Sequence, residues 1–255
     1  MIEAPQSFVV KQECDKAAWS NGFRKAVGET DGWSAYKSTT AQGTLYLAAG
    51  GQNGPWYIAT DHPGISAEIG FPLASTSGPG LARYSFEKLS EAYVALDRIY
   101  HLAKNLPDAP LLLFQSKIKG MPQTTDAERL IVQRIGQGIF RNSLMEYWQG
   151  RCPLTGIEEP ELLRASHIIP WAQCGDSERL NVYNGLLLSA LWDAAFDKGL
   201  VTFDENGDAL FSTELGDAAR IHLHVKSASL AGQLTSAHMA HMQWHRRHIF
   251  QGANI

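Results

Sequence analysis

Four side chains with the means to do chemistry lie close together in the C-terminal half of the chain: His167, Asn184, Asp193 and Asp197. An imidazole can carry a proton near neutral pH, and paired carboxylates can hold a hard cation. Their order and spacing suit metal-dependent hydrolysis of a phosphodiester. Asp193 and Asp197 are four residues apart, so on a helix both carboxylates share one face, one turn apart. Like charges at that spacing repel by roughly a few tenths of a kcal/mol on an exposed helix. A divalent cation between them would turn that cost into a gain.

The elements that must position these groups are legible nearby. Leu162 to Ile169 alternates loosely and stops at Pro170, which lacks a ladder donor and so marks a strand end. Polar, turn-forming residues fill Gln173 to Asn181. The short apolar run GLLL follows as a second strand, and Ser189 is placed to cap a helix beginning near Ala190. The predicted order is strand, loop, strand, helix, with the histidine on the first strand and both carboxylates on the helix.

This segment resembles the ββα-metal finger of the HNH endonucleases, particularly a restriction-endonuclease-like branch with HIIPW and NGLLLS…FDKGL strings. The likeness runs from CPLTG through LVTF. RIGQGIFRNSLMEYW before it and WHRRHIF after it extend the likeness over most of residues 130–250. The resemblance implies that His167 is the general base and that Asn184 pins the loop and orients the imidazole. It places Asp193 and Asp197 where colicin-type members carry metal-ligating histidines. Two aspartates at those positions favour Mg²⁺ or Mn²⁺ over Zn²⁺, one ion per site. Ser166 stands where many members have a further acidic or histidine ligand, so the hydroxyl, a water or another oxygen must complete the set. Cys152 and Cys174 have no CxxC partners, and no structural zinc is expected. The implied reaction leaves a 5′ phosphate, with His167 taking a proton from the attacking water.

Composition sets outer bounds. The 255 residues, 44% hydrophobic and 19% charged, are ample for one or two soluble domains. No apolar run approaches the ~20 residues needed to span a bilayer, so no membrane partner is expected. The first residues show no basic stretch leading into an apolar one. Three scattered cysteines argue against a disulfide framework. The expected compartment is cytoplasmic. The net charge is −4: Lys+Arg and Asp+Glu balance at 11 and 11 over residues 1–124 and stand at 11 and 15 over 125–255. Nucleic-acid affinity rests largely on phosphate neutralisation. That balance argues against an indiscriminate, tightly binding nuclease and requires local basic clusters.

Taken in order, residues 15–27 carry a helical pattern through Ala18, Trp19, Phe23 and Val27. Residues 32–70 read as short antiparallel strands, WSAYKS, TLYLAA and WYIATD, between Gly- and Pro-rich turns. The run AAGGQNGPW lacks the GK[ST] ending and the following helix of a phosphate loop, and reads as a hairpin connection. Tyr36, Tyr46, Trp56 and Tyr57 are either base-stacking platforms or cross-strand core pairs. Ser85 caps a predicted helix from Phe86 to about Asn105, and LLLFQSKIKG reads as a strand with Lys117 and Lys119 on one face. GMPQTT reads as a linker. Thr125 and Glu128 form a capping box for a helix to Tyr147, weakened by Gly136 and Gly138. A hairpin centres on Asn206-Gly207. His238, His241, His245 and His248 share one face of a closing helix, which could hold a second metal but reads more simply as packing.

The expectation is therefore an α+β protein with an N-terminal antiparallel-sheet domain with helices, residues 1–122, for target recognition. Residues 123–255 form the HNH domain. Double-stranded DNA is the expected partner, with Arg134, Arg141, Lys198, Arg246 and Arg247 as candidate phosphate contacts. One active site per chain suggests a homodimer for double-strand cutting. A restriction-type role, with or without a modified base, competes with a toxin or repair nuclease of the same chemistry. A non-catalytic DNA-binding module whose metal site has decayed at Ser166 is the third reading.

Overall fold

The computed structural model describes residues 2–223, 228–230 and 233–252. The chain is α+β and divides by its internal contacts into Met1–Ala109 and Pro110–Ile255. That division falls ahead of the GMPQTT segment. Among the described residues no helix is long and apolar enough to cross a membrane.

Unit 1 is an antiparallel meander. Strands β1 (Lys25–Thr30), β2 (Trp33–Lys37), β3 (Thr44–Ala49), β4 (Trp56–Thr60) and β5 (Ala82–Phe86) lie in sequence order across one sheet. Helices α1 (Phe8–Ser20) and α3 (Leu89–Asn105) cover one face, against residues such as Leu47 and Ile58. On the other face Trp33, Ala48, Tyr57 and Ala59 form a second cluster with Ile2 and Ala74. Covered on both sides, β4 is buried along its whole length. A short helix, α2 (Pro63–Glu68), is capped by His62. Tyr36, Trp56 and Tyr57 are buried, and Tyr46 is partly buried against the Trp33–Tyr57 cluster, so these aromatics are spent on packing the two faces of the sheet.

Three local expectations need correction. The first helix is α1, which begins at Phe8 behind an N-cap at Ser7 and ends at Ser20, with Asn21 as its C-cap. Gly22 follows at φ +82°, and the chain re-enters extended backbone by Lys25. Trp19 and Val27 are therefore exposed, and Val27 lies on β1. Phe86 belongs to β5, and α3 starts three residues later, with Glu91 bonding back to the Lys88 backbone. The run LLLFQSKIKG is not a strand but most of helix α4 (Asp108–Ile118). A continuous apolar run carries no period to separate the two states, and Pro110 near the start is compatible with the first turn of a helix.

In unit 2, α5 (Asp126–Tyr147) starts at the Thr125–Glu128 capping box. Strands β6 (Leu163–His167) and β7 (Gly185–Ser189) pair antiparallel, Leu163 opposite Ser189 and His167 opposite Gly185. Between them lies a loop containing the single-turn helix α6 (Asp176–Arg179). Helix α7 (Ala190–Asp197) follows β7 without a break. A small hairpin, β8 (Val201–Phe203) and β9 (Ala209–Phe211), turns at Gly207. Then come α8 (Asp217–His222) and α9 (Ser236–His248). Leu163, Leu186–Leu188, Trp192, Phe196, Val201, Phe203 and Met242 build one core, which fixes α7 and α9 on the β6–β7 hairpin.

Candidate active site

The hairpin splits its neighbouring side chains between two sides, because successive strand residues point in opposite directions. Ser166 turns toward α7, and His167 turns toward α5. Gly185, opposite His167, allows this. A Cβ at Gly185 would meet Phe140 Cζ at 2.6 Å and Leu144 Cδ1 at 2.8 Å, so only glycine lets α5 lie this close. Phe140 then stacks on the His167 ring at 3.8 Å between centroids and 18° between planes, and Trp171 meets the ring edge-on at 5.5 Å.

His167 Nε2 lies 2.9 Å from the Arg179 carbonyl. A carbonyl only accepts, so Nε2 carries the proton and the lone pair is left on Nδ1. Burial pushes the imidazole down to about 4; the carbonyl bond opposes that shift and the Arg179 charge adds to it. The ring is therefore neutral at pH 7 and able to accept a proton.

The loop that supplies this carbonyl is held by Asn184, which is wholly buried. Its Oδ1 accepts from Ile169 N–H at 2.8 Å, and its Nδ2 donates to the carbonyls of Glu178 at 3.1 Å and Ile169 at 3.2 Å. Trp171 is sandwiched over Gly136 of α5 and under the Arg179 guanidinium, 5.1 Å from its ring centre. Arg179 also donates from Nε to the Trp171 carbonyl at 3.0 Å.

On the other side, α7 brings Asp193 and Asp197 to Ser166. Ser166 is almost fully buried and its hydroxyl donates to Asp197 Oδ1 at 3.5 Å. Burial raises the pKa of both carboxyls. The charge of Asp193 raises Asp197 further, while the Ser166 hydroxyl eases both and Arg164 eases Asp193. A half-buried carboxylate on Asp193, a solvent-facing one on Asp197 and a buried hydroxyl on Ser166 make an all-oxygen donor set whose negative charge is only partly balanced, which fits a hard divalent ion. Among the described residues no group of three or more His, Cys, Asp or Glu side chains is placed to hold a metal. The protein here offers two carboxylates and a serine, and Mg²⁺ commonly takes the rest of its shell from water and substrate.

The five basic candidates separate into two kinds. Arg141 donates to the carbonyls of Pro160 at 2.7 Å and Leu163 at 2.9 Å, and Arg246 to the Phe203 carbonyl at 2.7 Å and to Glu205. These two brace the fold. Arg134, Lys198 and Arg247 are exposed. A cavity of about 550 Å³ opens at the start of α7, between Leu154, Leu162, Ser189 and Leu191; none of the candidate site residues lines it.

Sequence reasoning passed over Phe140, Trp171, Glu178 and Arg179. Trp171 stood in the HIIPW string, four residues after the histidine, and its bulky ring at the end of that string could have marked it. Glu178 and Arg179 act on the site through main-chain carbonyls, for which no sequence signal exists.

A search of curated proteins finds no match to the chain. Residues 152–204 match the HNH endonuclease family model, a span that contains β6, the pinned loop, β7 and α7. On that match and this order of elements, the segment from Cys152 to Asp204 is a domain of the HNH endonuclease family.

Proposed function

We propose that the chain is a metal-dependent HNH DNA endonuclease of restriction type, in which residues 123–255 cut and residues 1–122 select the target. The observation that carries the proposal is the pairing of a neutral, backbone-oriented His167 with an oxygen cluster on the adjoining strand residue and α7. His167 takes a proton at Nδ1 from the water that attacks phosphorus. The Arg179 carbonyl keeps the proton on Nε2, so the basic nitrogen stays basic. Asn184 holds the carbonyl-bearing loop in place. Phe140 and Trp171 shield the ring from solvent on one face and one edge. Asp193, Asp197 and Ser166 would hold Mg²⁺ or Mn²⁺. Bound there, such an ion would supply charge neutralisation for the scissile phosphate and the departing oxygen. Arg134, Lys198 and Arg247 are free to meet the DNA backbone, which positions a duplex without reading it. A compact unit with its own two-faced core precedes the cutting domain, and that separation is what a selective enzyme needs. A homodimer in the cytoplasm completes the reading.

The test is cleavage of modified and unmodified supercoiled plasmid with Mg²⁺ or Mn²⁺, with Mn²⁺ binding measured in parallel. The wild type should cut, and His167→Ala should cut at least about 10³-fold more slowly, within the range removal of a general base costs. Asp193→Asn should weaken Mn²⁺ binding. Equal cutting by His167→Ala would remove the general base from the proposal. No cutting together with Mn²⁺ binding indifferent to Asp193 would favour a DNA-binding module with a decayed site.

A further inference from the structure

Helix α9 carries His238, His241 and His245 on one face, and five of their six ring nitrogens are hydrogen-bonded within the protein. His238 Nε2 is buried without a partner among the described residues, so that face is committed chiefly to packing and bracing. Each ring touches the residue next to a site residue or one that holds it. His238 is fully buried and accepts from the Thr235 N–H at 3.2 Å. Its ring lies edge-on to Tyr183, 5.3 Å between centroids, immediately before Asn184. His245 is buried and stacks on Phe196 at 3.9 Å and 3°. It donates from Nε2 to the Phe196 carbonyl at 3.2 Å, immediately before Asp197, and takes the Thr202 hydroxyl on Nδ1 at 3.0 Å.

His241 reaches furthest. Its Nε2 donates to Glu178 Oε2 at 2.7 Å, and its Nδ1 faces the Ala237 carbonyl at 2.9 Å. Glu178 lies in the one-turn helix α6, and its own carbonyl accepts from Asn184. The next carbonyl, that of Arg179, holds His167 Nε2. The chain of contacts thus runs from α9 through one carboxylate to the two carbonyls that fix Asn184 and His167. A four-residue helix cannot hold its own geometry. Among the described residues its external anchors therefore include the Asn184 amide, the Arg179–Trp171 contact, the His167 ring itself and this link.

We propose that His241 is a positioning residue: bonded to Glu178, it holds α6 so that the Arg179 carbonyl keeps the His167 ring in its Nε2–H form and aimed at the reacting centre. The histidine face of α9 is then the support of the site. The Glu178 carboxylate is about half exposed, so the link adds little to stability and acts on geometry. This inference rests on the nuclease reading for its consequence in turnover, and on the geometry alone for its consequence at the ring.

The experiment uses the full chain, with His241→Ala, His241→Gln, Glu178→Ala and, as a control on the exposed side of α9, His248→Ala. Two readouts are taken: plasmid cleavage with Mg²⁺, and ¹⁵N NMR of the His167 ring, which reports the tautomer. His241→Ala and Glu178→Ala should each lower kcat about tenfold, with KM changed less than twofold. That is a fraction of the ~10²-fold cost of a 1 Å misplacement. The His167 ring should pass from one tautomer to a mixture in both. His241→Gln, which can still donate to Glu178, should restore most of both, and His248→Ala should change neither. Should His241→Ala fail to fold, Glu178→Ala carries the test, since it removes only a half-exposed carboxylate. An unaltered His167 tautomer and kcat in folded Glu178→Ala would overturn the inference. A wild type that cuts nothing and whose Mn²⁺ binding is indifferent to Asp193 would sink the nuclease reading instead, and the ring signals would still decide whether His241 positions His167.

Discussion

The two units bury polar groups in different ways. In unit 1 the buried polar residues are scattered, Ser34, Thr44 and Thr60 on three strands, Gln6 ahead of α1 and Asn105 at the end of α3, and aromatics such as Trp33, Tyr36 and Tyr84 fill the space between sheet and covering layers. In unit 2 Ser166, Asn184, Thr202, His238 and His245 are all buried around one hairpin and the two helices that back it. Burying a polar group costs free energy unless it is hydrogen-bonded, so concentrating them demands a network that fixes each one. The first unit is organised as a core with a surface. The second is organised around the fixed orientation of a few groups, as a reactive site needs.

The sharpest way to break that contrast is Asn184→Ala. The substitution strands the Ile169 N–H and takes the strongest side-chain donor from the Ile169 and Glu178 carbonyls, which are left with long contacts from Cys174 Sγ and the Asn181 N–H. Each buried group left unpaired costs about 1–3 kcal/mol. A loss of about 3 kcal/mol in chemical denaturation of unit 2 is expected, with cleavage lost as well. Ser34→Ala in unit 1 should cost less than about 1 kcal/mol. Equal losses would mean that the buried polar groups of unit 2 are no more interdependent than those of unit 1.

Acidification sharpens the comparison with a somewhat smaller effect. Burial pushes His238 down to about 3, with His241 adding to the shift, and His245 down to about 4, in each case from 6.5. A histidine depressed in the folded state is protonated first in the unfolded chain. Its contribution is whole above pH 6.5, falls as the pH drops through the interval down to about 4 or 3, and then levels off. Asp193 and Asp197 are raised and act in the opposite sense, regaining stability as they protonate. In metal-free protein the histidines should dominate, by on the order of a few kcal/mol. In unit 1 only His62 is shown shifted downward, and it is half-buried. Hydrogen exchange should therefore show α9 and the β6–β7 hairpin losing protection between pH 6.5 and 4 faster than strands β2–β4. Parallel losses in the two units would contradict this account.

How much of this was legible before the fold was known follows from the range of each constraint. The β6–β7–α7 order could be read because turn residues and a proline stop act within a few positions; Ser189 does stand at the N-cap position of α7, although its hydroxyl makes no capping bond. The carboxylates of Asp193 and Asp197 meet on one helix face for the same local reason. The states of α1 and α4 could not be read. Ser7 is a weak start signal without an acidic first turn, and a leucine run has no period. Arg141 and Arg246 show no sequence difference from Arg134 and Arg247, yet carbonyls more than 18 residues away occupy the first two. The path from His241 to His167 runs through two main-chain carbonyls, and main chain is the same at every position.

The smallest effect bears on a pair of residues that sequence alone treats alike. Gly136 and Gly138 both lie inside α5, where glycine costs about 1 kcal/mol relative to alanine. In the fold they differ. A Cβ at Gly136 would come within 2.8 Å of Trp171 Cη2 and 3.4 Å of Phe114, whereas nothing lies within 4 Å of one at Gly138. Gly138→Ala should therefore stabilise unit 2 by up to about 1 kcal/mol. Gly136→Ala gains the same helix propensity but must displace Trp171, with overpacking costs of typically ~1–3 kcal/mol, for a net loss near 1 kcal/mol. Because Trp171 touches both the His167 ring and the Arg179 guanidinium, Gly136→Ala should also slow cleavage while Gly138→Ala leaves it alone. Paired melting curves and nicking rates decide it. If both alanines stabilise and neither slows cutting, Trp171 has room to move, and the packing of α5 against the β6–β7 loop is looser than these contacts require.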